Sequence, residues 1–159
     1  MTFRIALLMS FFLFLQFQAD AQSIAQRKQH FHTDKKGLAI DGYDPVSYFG
    51  QKPQKGKKDH SYQHDGITYY FVSVENKNAF ITNPDKYEPA YGGWCAYAMA
   101  QNGEKVDVDP LTYKIVDGRL LLFYNRLFTN TLGLWNELKK PEAQRVTSAN
   151  EHWKKFISN

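Results

Sequence analysis

The chain has 159 residues and a single cysteine, with 20 Lys and Arg against 16 Asp and Glu for a net charge of +4. That length suits one domain. The lone thiol excludes an intramolecular disulfide and any zinc site built from several cysteines, and a modest basic excess without a clustered basic face gives no argument for nucleic acid.

At the N-terminus Met1–Arg4 carries one positive charge, and Ile5–Phe17 is apolar except for Ser10 and Gln16. Ala19-Asp20-Ala21 follows, with small residues at the two positions a signal peptidase reads. The pattern predicts a signal peptide over 1–21, cleavage before Gln22, and export to the periplasm or beyond. An apolar run this short does not suit a helix that must cross about 30 Å of hydrocarbon, so no stable membrane anchor is expected. Cleavage leaves the net charge unchanged, because Arg4 and Asp20 depart together.

Residues 22–37 are polar and basic and follow neither a helical nor a strand period, which predicts a flexible N-terminal arm. His30 and His32 lie in it two apart; such a pair reads chiefly as solvated, with metal ligation the lesser reading. The domain proper is expected over 38–158. Pro45 keeps Asp44 out of the helical region, so Gly42-Tyr43-Asp44-Pro45-Val46 reads as a turn before the short apolar Val46–Phe49. Gly50–Asp59 holds four lysines with no aromatic between them and reads as a solvated loop.

His60–Gln63 and Ile67–Val72 flank His64-Asp65-Gly66 and predict a hairpin, with Gly66 where a positive φ is needed; His60 and His64 are expected to be exposed. Ser73 is placed to cap a helix over Val74–Thr82 that Asn83-Pro84 ends. Tyr91–Ala100 reads as a tightly packed helix of small residues entered through Gly92-Gly93. Asp107 and Asp109 alternate with Val106 and Val108, as on a solvated strand face or turn, with metal ligation the lesser reading. Asp117-Gly118 joins Tyr113–Val116 to Arg119–Tyr124 in the strongest hairpin signal of the chain. Asn125–Leu138 reads as helix. Pro141 opens a last helix with Ala143, Val146, Ala149, Trp153, Phe156 and Ile157 at helical spacing. The expected fold is α+β: a single small domain of β-hairpins packed against several short helices, without a regular βαβ alternation.

Three runs, Gly42-Tyr43-Asp44-Pro45-Val46-Ser47-Tyr48-Phe49, Tyr69-Tyr70-Phe71-Val72-Ser73-Val74-Glu75-Asn76 and Asn83-Pro84-Asp85-Lys86-Tyr87-Glu88-Pro89-Ala90-Tyr91-Gly92-Gly93-Trp94-Cys95-Ala96, resemble the exported branch of the YHS domain family. The resemblance continues through Val108-Asp109-Pro110, Val116-Asp117-Gly118-Arg119-Leu120 and Tyr124-Asn125 to Asn150 and Trp153. It implies a small α+β fold and, through relatives tied to metal transport and oxygenases, a transition-metal role. Metal-associated relatives carry cysteine after the first Asp-Pro-Val and a Cys-x-x-x-Cys pair around the Phe-x-Ser stretch. Those positions here are Ser47, Val72 and Asn76, so a metal would have to rest on other residues.

Cys95 is expected near the first turn of its helix, where unpaired N–H groups and the helix dipole favour a thiolate. Met99, one turn on, would then present a second sulfur on the same side, and two soft ligands suit a copper-like ion. Core packing of both side chains is the plainer alternative, and thiol chemistry a third. Asp44 can cap local N–H groups or, if close to Cys95, hold a metal or exchange a proton with the thiol. No histidine is marked as a partner for the thiol and no phosphate-cradling loop is present, so the expected function is non-enzymatic. Two readings stay open: binding of a transition metal or small ligand at Cys95, Asp44 and Met99, or a structural or protein-interaction domain with Cys95 buried.

Overall fold

The computed structural model describes residues 23–50 and 52–157; the expected signal peptide lies outside the described residues. Residues 23–30 form helix α1. Short 3-10 turns follow at Ile40–Gly42 and Ser47–Phe49, then strands β1 (Lys57–His64) and β2 (Ile67–Phe71) and helices α2 (Val74–Thr82) and α3 (Pro84–Tyr87). A third 3-10 turn at Ala90–Gly93 leads into α4 (Ala96–Gln101), β3 (Asp109–Val116), β4 (Arg119–Phe123), β5 (Asn125–Arg126), β6 (Thr129–Asn130), α5 (Thr131–Glu137) and α6 (Glu142–Ile157). Successive strands pair into three two-stranded antiparallel sheets among the described residues. The fold is α+β, a small mixed domain of hairpins and short helices.

Local chemistry accounts for most of these elements. Asp65 and Gly66 both take positive φ between the paired His64 and Ile67, and Asp117 and Gly118 do the same between Val116 and Arg119, which is what a two-residue hairpin loop requires. Ser73 Oγ accepts the Asn76 N–H at 3.2 Å to start α2. Asn83 caps α3 with Pro84 at its first turn.

Burial along β4 positions everything else. Leu120, Leu121, Leu122 and Phe123 are all buried, the continuous apolar run of a strand covered on both faces. Leu120 and Leu122 join a first core with Ile67, Tyr69 and Phe71 of β2 and Phe80 of α2. Leu121 and Phe123 join a second core with Met99, Trp135, Ala149 and Trp153 from α4, α5 and α6. Phe80 seals the first core, its ring centroid 4.8 Å from that of Tyr69 and 5.3 Å from that of Phe71.

Three segments differ from the sequence expectation. The arm over 22–37 is not irregular: 23–30 is helical and is tied down by Arg27 to Glu88 at 2.6 Å, by Trp94 Nε1 donating to the His30 carbonyl at 2.7 Å and by His32 N–H to the Gly92 carbonyl at 2.8 Å. Those anchors are polar and aromatic, so they leave no apolar period. Second, Tyr91–Ala100 is not one helix, because Tyr91, Gly92 and Gly93 have φ of 57°, 60° and 90°. The helix begins only at Ala96, and a Cβ on Gly92 would come within 2.7 Å of the Trp153 ring, so that position has no room for a side chain. Third, Asn125–Leu138 opens as the β5–β6 hairpin and turns helical only at Thr131.

Candidate functional site

Asp44 is wholly buried, at 0% exposure. Its Oδ1 accepts the N–H groups of Val46 at 2.8 Å and Ser47 at 3.4 Å, and its Oδ2 accepts the N–H of Val72 at 2.9 Å and the side-chain amide of Asn76 at 2.7 Å. Ser47 Oγ donates back to the Asp44 carbonyl at 2.6 Å and accepts the Gln54 N–H at 2.9 Å. Pro45 causes the local turn that starts this arrangement, and the β2–α2 junction completes it. The donors come from Val46 and from Ser47, Val72 and Asn76, the last three being the positions that the YHS resemblance equates with cysteines. A carboxylate surrounded in this way holds three chain segments together and has no oxygen left unengaged for a metal.

Cys95 is also fully buried, at 0% exposure. It is the residue before α4, with φ −57° and ψ 117°, rather than a first-turn residue. Its Sγ lies 3.3 Å from Thr131 Oγ1, and that hydroxyl donates its only proton to the Tyr124 carbonyl at 3.0 Å. With that proton engaged, Cys95 Sγ is the group placed to donate in the contact. The Cys95 carbonyl accepts the Met99 N–H at 3.0 Å, one helical turn on, while Cys95 packs in the first core and Met99 in the second. The structure gives Asp44 and Cys95 no hydrogen-bond partner in common. Among the described residues, no group of three His, Cys, Asp or Glu side chains is placed to hold a metal ion.

Of the remaining sequence candidates, Asp109, His64, His32 and Asp107 each have their own contacts, while His60 Nδ1 is buried with no partner among the described residues. Asp109 does not face solvent as a bare strand residue but accepts Leu111 N–H and Thr112 Oγ1, both at 2.9 Å, across the bulge of β3. His60 and His64 are half-buried rather than exposed, with the His64 ring edge-on to Phe80. His32 Nε2 sits 3.3 Å from Asp107 Oδ1 while its ring stacks on Trp94, 4.3 Å between centroids.

Two arrangements carried no sequence signal. A cavity of about 350 Å³ opens between α1 and α6, lined among others by Arg27, Glu88, Tyr91, Arg119 and Trp153. Within it Glu88 Oε1 accepts from both Arg27 and Tyr69, at 2.6 and 2.7 Å. The Arg119 guanidinium lies over the Tyr91 ring, 5.3 Å from its centroid. Burial pushes the Tyr91 phenol up from its ordinary value and the Arg119 charge pulls against this, yet Tyr91 Oη has no partner in hydrogen-bond geometry among the described residues. The second arrangement joins Lys105 and His30, 75 residues apart in sequence, through Nζ and Nδ1 at 2.6 Å.

None of the family models, curated proteins or solved structures compared with the chain matches it. Among the described residues no helix is long and apolar enough to cross a membrane.

Proposed function

We propose that the protein is an exported YHS-like domain that works by binding a protein partner rather than by catalysis, with Asp44 and Cys95 as structural groups. The observation that carries this reading is the convergence of Ser47, Val72 and Asn76 on the Asp44 carboxylate. Three positions matched to cysteines on motif order alone meet around one side chain, which supports the resemblance. Of the three, only Asn76 reaches Asp44 through its side chain; Ser47 and Val72 do so through backbone N–H groups. A copper-like ion at Cys95, Asp44 and Met99 would have to strip Asp44 of its donors and reach a sealed thiol, at a cost the few remaining ligands do not offset.

A partner surface suited to this role is the β5–β6 tip. Leu127 is 85% and Phe128 110% exposed, and both hold positive φ, 50° and 70°. Exposure and left-handed backbone each cost free energy in the isolated domain. An apolar groove on a partner protein that takes both side chains offsets that cost.

The test is metal analysis of the mature, untagged protein, followed by anaerobic Cu(I) and aerobic Zn(II) titration of wild type and Cys95→Ala. Weak and equal binding by both is expected. Stoichiometric binding that Cys95→Ala abolishes would overturn the reading.

A further inference from the structure

We infer that the cavity between α1 and α6 is a binding site for a small aryl carboxylate, with Arg119 taking the carboxylate and Phe31 and Trp153 walling the ring. Its volume of about 350 Å³ lies within the range of small-molecule sites. The Leu127–Phe128 tip is not among its lining residues, so this site is separate from the surface proposed for a protein partner.

Charge in the cavity is unevenly compensated. Its charged lining among the described residues is Arg27, Asp85, Glu88 and Arg119. Glu88 and Arg27 satisfy each other at 2.6 Å, and the same Glu88 oxygen accepts Tyr69 Oη at 2.7 Å. Asp85 is exposed, where water and salt weaken its field. Arg119 is half-buried and takes part in none of the ion pairs among the described residues. A neutral amide orients it instead: Asn150 Oδ1 accepts Nη1 at 3.0 Å. A guanidinium held in this way, partly out of water and without a carboxylate, is suited to an anionic ligand.

Tyr91 adds a second donor beside the first. It is 2% exposed, the Arg119 guanidinium lies over its ring, 5.3 Å from the centroid, and its Oη has no partner in hydrogen-bond geometry among the described residues. A guanidinium carries donors only, so Arg119 can give a proton to the phenol oxygen but cannot take the phenol's own. Two neighbouring donors without a shared acceptor match a carboxylate, whose oxygens accept from both.

The apolar wall depends on Gly92. A Cβ there would come within 2.7 Å of Trp153 and 3.1 Å of Phe31, so the bare backbone gives both rings room beside Tyr91. Phe31 and Trp153 meet edge to face, 5.8 Å between centroids. A third flat ring extends such a cluster by stacking or edge contact.

The test titrates the protein with phenylacetate and with phenylacetamide, which keeps the ring and lacks the charge. Calorimetry gives the affinities and backbone amide NMR shifts give the place. Phenylacetate is expected to bind saturably, with the largest shifts at Tyr91, Gly92, Arg119 and Trp153, and phenylacetamide at least about tenfold more weakly. Arg119→Gln is expected to lower phenylacetate affinity at least about tenfold and leave that of phenylacetamide unchanged. Tyr91→Phe, which keeps the ring under Arg119, is expected to lower phenylacetate affinity about threefold or more. No saturable binding by wild type, equal affinity for acid and amide, or shifts centred outside the cavity would overturn the proposal. So would unchanged phenylacetate affinity in a folded Arg119→Gln. If that variant does not fold, the acid-to-amide ratio, the shift map and Tyr91→Phe decide the matter.

Discussion

Asn76 donates its side-chain amide to Asp44 Oδ2 across 2.7 Å, joining the first turn of α2 to the turn before Pro45. The same carboxylate takes the N–H groups of Val46, Ser47 and Val72. Asp44→Ala leaves these donors buried without an acceptor, each costing about 1–3 kcal/mol in part. The expected loss of stability is about 4 kcal/mol, a large share of what a small domain has. Asn76→Ala removes one donor and leaves the rest, for about 1–2 kcal/mol. Urea denaturation of both variants checks the ranking; an Asp44→Ala cost below that of Asn76→Ala contradicts a structural hub.

At the β5–β6 tip, Leu127 and Phe128 occupy the two central positions of a turn whose positive φ values favour Asn-Gly. Replacing Leu127 by Asn together with Phe128 by Gly is expected to stabilise the isolated domain by about 1–2 kcal/mol through relief of left-handed strain, while removing the apolar surface proposed for a partner. Thermal denaturation measures the first effect. A fall in the melting temperature would show that the two side chains serve the domain itself.

The Tyr91 hydroxyl offers a cleaner substitution. It is buried with no partner in strict hydrogen-bond geometry, yet the Arg119 side chain pulls its pKa down, by charge and by hydrogen bonding, against burial. The two effects oppose each other in Tyr91→Phe, which keeps the ring under Arg119. Stability is expected to change by no more than about 1 kcal/mol. A larger loss in equilibrium unfolding would show that Arg119 holds the hydroxyl in a full hydrogen bond.

These sites show where the chain is readable and where it is not. Ser73, Asp117-Gly118 and Pro141 act on the backbone within a few residues of themselves, so their elements follow directly from the sequence. Leu127-Phe128 is the opposite case, because the residues are poor turn formers and the hairpin is imposed by the pairing of Asn125 with Asn130 and Arg126 with Thr129. For Cys95 and Met99 the sequence shows the one-turn spacing, which the Met99 N–H to Cys95 carbonyl bond at 3.0 Å reproduces, but not that Cys95 packs in the first core and Met99 in the second. Asp44 was singled out with its capping role, but its partners Val72 and Asn76 arrive from across the fold, and no local pattern announces them. The Lys105–His30 contact likewise depends on docking of α1, whose anchors are single polar and aromatic contacts.

Acid should weaken one anchor of the second core. Glu142 Oε1 accepts Lys114 Nζ at 2.6 Å and Trp135 Nε1 at 2.7 Å. Burial pushes its carboxyl up, but the bonds from Lys114 and Trp135 and the charges of Lys114 and Arg145 outweigh this and hold it below its ordinary value of 4.5. A lowered folded pKa means that the unfolded chain binds the proton more readily. The contribution is therefore full above about pH 4.5 and lost as the pH falls through the folded value. Denaturant midpoints between pH 3 and pH 6 should fall more steeply for wild type than for Glu142→Gln; parallel curves would remove Glu142 from the list of acid-sensitive anchors.

The state of the one thiol decides between a structural and a functional Cys95. With Sγ sealed in the first core and donating to Thr131, labelling by a thiol-specific disulfide reagent should be no faster than opening of the domain, complete on denaturation, and unaffected by Cu(I) or Zn(II). Rapid labelling of the native protein, slowed by either metal, would contradict the structural assignment.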